Sequence, residues 1–208
     1  MSTQTELDEP IEEPIDGRTA RAVRTKDAIV EATLGLIDEG DLRPTGPRIA
    51  ERAGVSVRSI FQHFDDLDAL FSAVGAKVAV RIAGLLHPID PALALDERVT
   101  VFVKQRTEVM EALTPVLRAA LVHAASSTVI RNQFEVGHGF LGAQVDAVFA
   151  TELDAAEEPM LLREALMVSL SWVAWDLLRG AEGKSEDDAS AVIDWSTRAA
   201  LRAAGFAA

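Results

Sequence analysis

Three polar residues in the first third of the chain, Arg58, Ser59 and Gln62, have side chains and a spacing that suit contact with DNA. Arg58 and Gln62 are four residues apart, so on a helix they lie one turn apart on the same side. Arginine binds guanine with two hydrogen bonds and glutamine binds adenine in the same way, and both contacts are frequent in the major groove. The alternative interpretation is an ordinary polar helix surface. The surrounding segment favours DNA contact.

That segment, residues 45–64, has the pattern of two short amphipathic helices joined by a tight turn, which is a helix-turn-helix. Gly54 is expected to end the first helix with a positive φ angle. Ser56 is expected to cap the second helix by accepting a hydrogen bond from the backbone N–H near Ser59. The apolar positions are Ile49, Ala50, Ala53, Val55, Ile60, Phe61 and Phe64. The outer face of the second helix then carries Val57, Arg58, Ser59, Gln62 and His63.

The net charge of −13 argues at first against a nucleic-acid partner, because affinity for DNA comes largely from basic residues. The distribution of charge weakens this objection. The first seventeen residues contain six acidic side chains and no basic one. Basic residues then follow at Arg18, Arg21, Arg24, Lys26, Arg43, Arg48, Arg52 and Arg58. The acidic surplus therefore lies partly outside the segment expected to meet DNA.

Composition and periodicity predict an all-α protein with an N-terminal three-helix head and a helical body. Residues 1–17 are expected to form a disordered acidic arm, residues 18–66 the helix-turn-helix domain, and residues 67–208 the body. The expected helices outside the motif are 21–39, 67–86, 96–113, 114–125, 128–150, 158–179 and 185–204. Thr114 is the expected N-cap of the 114–125 helix, with Pro115 at its first position. Gly137, Gly139 and Gly142 indicate a kink or a close helix contact rather than a binding site.

The last two predicted helices suit an interface between two copies of the chain. The first is apolar around most of its circumference, and the second has a face of small residues that permits close approach. Together they would form a four-helix contact in a homodimer. The residues expected at this interface are Leu166, Ser169, Val173, Asp176, Val192, Ile193, Ser196, Ala199 and Ala200.

The head resembles that of TetR-family transcriptional repressors. The matching residues are Ile29, Gly40, Thr45, Ile49, Ala50, Ala53, Gly54, Val55, Ser56, Ile60, Phe61, His63, Phe64 and Leu70. The specific match covers about residues 24–71, and the remainder is similar only in length and helical pattern. The resemblance implies a ligand-binding and dimerisation body, a palindromic operator in double-stranded DNA, and release by a small-molecule effector. The DNA contacts then expected are Arg21, Arg24, Thr45, Arg48, Val57, Arg58, Ser59, Phe61, Gln62 and His63.

Three departures from the family pattern predict fewer contacts with DNA phosphates. Phe61 stands where the family usually has a tyrosine, so a phenol hydrogen bond is missing. Residues 66–68 read Asp-Leu-Asp, where the family commonly places a lysine near phosphate. Gly46 replaces a β-branched apolar residue. Each lost phosphate contact is expected to reduce the slope of log K against log salt concentration by about one unit.

An unknown effector, expected to be apolar, would occupy a cavity between helices of the body with a few polar groups. The candidate lining residues are Phe102, Arg106, Met110, Leu117, Leu121, Phe134, His138, Phe140 and Trp172.

Several functional classes find no support in the sequence. Cysteine is absent, which excludes disulfides and thiol chemistry. No catalytic or cofactor-binding motif is present, and His87, His123 and His138 lack a metal-ligand spacing, so we expect no enzyme activity, cofactor or metal site. The absence of an apolar run of membrane-spanning length or of a signal peptide predicts a cytoplasmic protein.

The alternative function is a helical protein-interaction or apolar-ligand-binding module whose head has weakened DNA affinity. The acidic total, Phe61 and Leu67 favour it.

Overall fold

A computed structural model describes residues 17–125 and 127–208, which confirm the all-α class. The described residues form ten α-helices and one π-helical turn. The helices are α1 (Gly17–Asp38), α2 (Gly46–Ala53), α3 (Val57–His63), α4 (Leu67–Ala83), α5 (Leu95–Ala124), α6 (Thr128–Val148), α7 (Ala150–Ala155), α8 (Pro159–Ser169), α9 (Trp172–Asp176) and α10 (Glu186–Ala203). The π-helical turn, Leu177–Ala181, directly follows α9. The predicted acidic arm lies almost entirely outside the described residues.

Two apolar clusters hold these helices together. The first, which we call the head cluster, joins α1, α2 and α3 to α4 and to the middle of α5. Its fully buried members include Ile29, Ile49, Ile60 and Leu70. The second, which we call the body cluster, joins α5, α6, α8, α9 and α10 around residues such as Phe102 and Trp175. We call α1–α3 the head and α4–α10 the body. Because α4 packs on the head and also contacts α5 and α6, it connects the two.

The predicted boundary at Thr114 is wrong, because α5 continues through it to Ala124 and contains Pro115. The Thr114 hydroxyl donates to the carbonyl of Met110 at 2.7 Å and accepts from the indole N–H of Trp172 at 3.0 Å. Thr114 is therefore an interior residue held by α9. Packing of α5 on α1, α4, α6, α9 and α10 outweighs the helical hydrogen bond that the proline removes.

The predicted 158–179 helix is also wrong, because it breaks after Ser169 into α8, α9 and the π-helical turn. Ser171 begins the second piece, and its hydroxyl accepts from the backbone N–H of Ala174 at 3.2 Å. At the break, the carbonyl of Leu170 accepts a hydrogen bond from the buried Arg106 of α5 at 3.0 Å. The interruption therefore coincides with a contact between residues that are far apart in sequence.

The glycines of α6 do not interrupt it, since the helix runs from Thr128 to Val148. Gly142 marks a close contact, because a side chain there would lie 2.7 Å from a guanidinium nitrogen of Arg163 on α8. Gly137 and Gly139 face open space. Within the part of the chain that the structure describes, no helix has the length and apolarity needed to cross a bilayer.

Candidate DNA-binding interface

Local signals position α3 as the sequence predicts. Gly54 has φ +67°, and its N–H closes α2 on the carbonyls of Ala50 and Glu51. The Ser56 hydroxyl accepts from the backbone N–H of Ser59 at 3.1 Å and caps α3. Ile60 and Phe64 are buried against the rest of the head. The backbone of α3 is thus held at its start and along its inner face.

The outer face of α3 carries the groups expected to meet DNA. Arg58 and Gln62 are exposed, and Ser59 and His63 are half-buried beside them. Two apolar side chains share this face, because Val57 is 38% exposed and Phe61 is 53% exposed. The exposed part of the Phe61 ring is of the type that can contact a thymine methyl group.

The two residues expected to contact DNA at the start of α2 are both exposed, but their side chains differ in the partners they have within the head. Thr45 occupies the N-cap position, and its side chain makes no capping hydrogen bond. Arg48 is exposed, but it forms an ion pair with Asp41 at 2.5 Å. Of these two, Thr45 alone keeps its polar side chain available without breaking an ion pair.

A second arginine of α2 is engaged within the head. Arg52 donates to both carboxylate oxygens of Glu39 at 2.6 and 2.8 Å. The hydrogen bond from Arg52 lowers the pKa of Glu39. This pair ties α2 to the end of α1, so Arg52 has a structural role.

Basic residues on the first part of α1 extend the candidate interface. Arg21 and Arg24 are exposed and precede the buried stretch of the helix that starts at Ile29. Lys26 is also exposed, and its ammonium lies 5.3 Å from the ring centre of Phe64, the residue that ends α3. Sequence reasoning counted Lys26 as a nearby base but not as a contact. Only the fold shows that it stands beside the end of α3.

Comparison with known proteins agrees with this geometry. Residues 29–74, from the buried part of α1 into α4, match the sequence model described as bacterial regulatory proteins of the TetR family. Over this segment the chain is similar to the TetR family. The match includes the helix-turn-helix and its anchoring helices, so the TetR-family resemblance of the sequence is confirmed. No curated protein matches the chain.

Solved structures extend the likeness to the whole TetR-like fold. A transcriptional regulator from Rhodococcus sp. Rha1 is 17% identical, with a TM-score of 0.61, and the match covers 90% of this chain and 99% of that one. A Mesorhizobium loti protein assigned to the TetR family is 19% identical, with a TM-score of 0.63, over 88% of this chain and 98% of that one. The multidrug binding protein EbrR, solved with imidazole, is 18% identical, with a TM-score of 0.54, over 92% and 97%.

The surface of the last helices exposes several large apolar side chains. Among the described residues of α8, α9, the π-helical turn and α10, six large apolar side chains are more than half exposed. They are Met160, Leu161, Val168, Val173, Leu177 and Trp195. Exposed apolar patches of this kind mark interaction surfaces.

The expected dimer residues divide between this surface and the core. Val173 and Val192 are exposed, whereas Leu166 and Ile193 are buried in the body cluster of their own chain. Ser169, Asp176, Ser196, Ala199 and Ala200 are half-buried. Val168, Leu177 and Trp195 are exposed but were not among the residues expected at the interface. The break after Ser169 shifts the phase of the exposed face for the residues that follow it on this segment, such as Leu177. The seven-residue step from Leu161 to Val168 was the available signal.

The residues expected around an effector are scattered between core and surface. Phe102, Met110 and Arg106 are buried in the body, while Leu117, Phe134 and Trp172 are half-buried. Leu121, His138 and Phe140 are exposed.

Two other spaces lie between helices. An open groove of about 350 Å³ separates α1 from α4 and is bridged by the ion pair of Lys77 with Glu31 at 2.8 Å. A cavity of about 30 Å³, enough for one water, lies where α1, α4, α5 and α6 meet. Beside it the rings of Phe71 and His123 are in contact, with centres 4.7 Å apart and planes tilted by 37°. Neither space is lined by an expected effector residue.

Proposed function

We propose that this TetR-family DNA-binding regulator is a ligand-responsive repressor that binds a palindromic operator as a homodimer. The observation that carries the proposal is the outer face of α3, which presents Arg58 and Gln62 to solvent while Ile60 and Phe64 anchor the helix. A recognition helix must be rigid on its inner side and polar on its outer side to read bases in the major groove.

A second copy of the chain is the proposed occupant of the apolar surface on α8–α10. Val173 and Trp195 lie on neighbouring helices and are 72% and 67% exposed. Helices that pack in pairs across a two-fold axis would remove both from water. The same axis would set two α3 helices about one turn of DNA apart and so require a palindrome.

Helix α4 is the proposed route between ligand and DNA. Leu70 and Val74 of this helix belong to the head cluster, and Phe71 and Gly75 line the cavity against α5 and α6. A ligand that shifts α5 or α6 would therefore move α4 and the head attached to it. A small rotation of each head is enough to prevent both α3 helices from fitting their half-sites together.

Selection from a pool of random duplexes at low salt tests the proposal. We expect enrichment of a palindrome by the full chain, with one dimer bound per duplex. The control is the double variant Arg58→Ala/Gln62→Ala, which keeps the cap and the buried anchors of α3 and should enrich no such sequence. The proposal implies a cytoplasmic protein, because its DNA target is there.

Failure of the full chain to enrich any sequence would contradict the proposal. That result would favour the alternative of a helical protein-interaction or apolar-ligand-binding module with weakened DNA affinity. The specific support for the alternative is the apolar content of the outer face of α3, namely Val57 and Phe61. EbrR, by its name, binds multiple drugs, and a related capacity here would fit either outcome.

A further inference from the structure

Two arginines on α5 are equally buried but differ in their partners. Arg98 is 6% exposed and Arg106 is 8% exposed. Arg98 has a buried counterion, because its guanidinium donates to both carboxylate oxygens of Glu152 at 2.5 and 3.0 Å. Its remaining hydrogen bonds go to the carbonyls of Leu93 and Val148. Arg98 thus shows how this fold satisfies a buried guanidinium.

Arg106 has one partner only. Its Nε donates to the carbonyl of Leu170 at 3.0 Å, and no described residue accepts a hydrogen bond from its two terminal nitrogens. No described carboxylate forms an ion pair with it. Burial lowers the pKa of Arg106 to about 10, so the group is still charged at neutral pH. A buried charge without a counterion is costly, and folded proteins usually pair it.

The surroundings of Arg106 are apolar and adaptable. Phe102 and Met110 lie one turn before and after it on α5, and both belong to the body cluster. Met167 lies one turn before Leu170 on α8, and its terminal carbon would be 3.8 Å from a side chain at Gly142 of α6. Arg106 therefore lies where α5, α6 and the end of α8 meet. Methionine side chains such as Met110 and Met167 can rearrange to admit a guest.

A second polar group lacks a partner on α6. The side-chain oxygen of Gln144 is enclosed and accepts no hydrogen bond from any described residue. Gln144 is two residues after Gly142, and Val148, one turn further along, touches Arg98 of α5. Since α5 and α6 run antiparallel there, Gln144 lies near the level of Phe102, one turn of α5 before Arg106. The body thus has two incompletely satisfied polar groups, about one helical turn apart, on neighbouring helices.

We infer that the guanidinium of Arg106 is the anchor of a binding site for a small organic carboxylate with an apolar body. The carboxylate supplies the counterion that Arg106 lacks, by a two-point hydrogen bond to the terminal nitrogens. The apolar part lies among the side chains of the body cluster. The inference rests on the proposed function, and it replaces the expected apolar effector by an acidic one.

The test is thermal unfolding of the full chain with matched acids and alcohols. Sodium octanoate with 1-octanol, and sodium benzoate with benzyl alcohol, distinguish an alkyl from an aryl acid. At a concentration about a hundred times its Kd, an acid is expected to raise Tm by about 5–10 °C, and its alcohol much less. Equal shifts from acid and alcohol, or no shift from either acid, would overturn the inference.

Variants of α5 separate charge recognition from structure. Arg106→Met should lose the shift caused by the acid, and Arg106→Lys should keep part of it, because it retains the charge but not the planar fork. The control Lys104→Met removes a charge from the same helix at a side chain that is 78% exposed, and should respond like the parent chain. A full shift in Arg106→Met would overturn the site. If Arg106→Met does not fold, the comparison of acid with alcohol on the parent chain still decides.

The enriched duplex separates this inference from the proposed function. If octanoate or benzoate raises Tm but does not release the duplex, the site stands and ligand-responsive repression fails. If the duplex is bound and neither acid raises Tm, DNA binding stands and the carboxylate site is overturned.

Discussion

A guanidinium nitrogen of Arg48 lies 2.5 Å from a carboxylate oxygen of Asp41 at the edge of the helix-turn-helix. Arg48 stands at the start of α2, where the family resemblance implies contact with phosphate or base. The Asp41 carboxylate neutralises this arginine before DNA arrives, and phosphate must compete with it. This ion pair, together with Phe61 in place of the usual tyrosine, predicts weak binding to DNA phosphates.

Asp41→Asn is expected to tighten DNA binding by releasing Arg48. The amide keeps an oxygen that can accept from the N–H of Arg43, as Asp41 does at 3.1 Å, so the loop is preserved. One additional phosphate contact should steepen the dependence of log K on log salt by about one unit. Fluorescence anisotropy of the enriched duplex over a salt series measures the slope. Asp38→Asn removes a nearby charge that pairs instead with Arg81, and an equal change in that control would point to net charge alone.

Arg58→Ala is expected to weaken specific binding by about 1–3 kcal/mol, because a two-point contact with a base is lost. The loss of binding free energy should arise at one base pair of the operator, and the variant should then tolerate other base pairs at that position. Competition between the operator and single-base variants measures this effect. Lys104→Ala removes a charge on α5, outside the head, and should leave the order of affinities for the operator and its single-base variants unchanged. Unaltered affinity in Arg58→Ala would exclude this residue from recognition.

Ser56→Ala is expected to destabilise the head by about 1 kcal/mol, because the first turn of α3 loses its cap. Thr45→Ala is the matched control, since Thr45 occupies the N-cap position of α2 without a side-chain hydrogen bond. Chemical denaturation followed by circular dichroism compares the two. Similar losses in both variants would show that the hydroxyl of Ser56 contributes nothing beyond its position.

The double variant Val173→Asp/Trp195→Glu is expected to dissociate the proposed homodimer. Both side chains are largely exposed in a single chain, so two charges there should not disturb its core but would be buried without partners in the dimer. Sedimentation velocity measures the molecular mass. Val136→Asp places a charge on an equally exposed residue of α6 and should remain dimeric. A dimeric double variant would place the interface elsewhere.

Glu111 is expected to give the body a stability that depends on pH. The hydrogen bond from Arg179 at 2.8 Å, helped by that from Trp175 at 3.1 Å, lowers the pKa of Glu111. A carboxyl whose pKa is lowered on folding stabilises the fold above its ordinary pKa of 4.5, and this contribution disappears as the pH falls through the lower folded value.

Glu111→Gln should therefore lower the free energy of unfolding by about 1 kcal/mol at neutral pH, since the pair is partly exposed. The difference from the parent chain should shrink as the pH falls below about 4.5. Urea denaturation across this range provides the measurement. Glu108→Gln removes a carboxylate of α5 that lies 3.8 Å from Lys104 and should change little. A difference that stays constant with pH would mean that the charge of Glu111 is not responsible.

The head could be predicted from sequence because its signals are local. Gly54 and Ser56 act on backbone groups within five residues of themselves, so the turn and the start of α3 follow from residue type and spacing. The alternation of buried and exposed positions also predicted which side of α3 faces solvent. The pairing of Arg48 with Asp41 was not predicted, because neither residue type nor spacing selects one carboxylate among several.

The body depended on contacts that no local pattern reveals. Pro115 is an ordinary helix-start signal, yet Trp172 holds Thr114 inside a continuous helix from 58 residues away. The end of α8 at Leu170 meets Arg106, 64 residues earlier. The sequence by itself determined the helical class, the motif and the residues that lie on the outer face of α3. Only the tertiary structure decided where the body helices break, which apolar side chains remain exposed, and that Arg106 is buried without a counterion, because these depend on packing between distant segments.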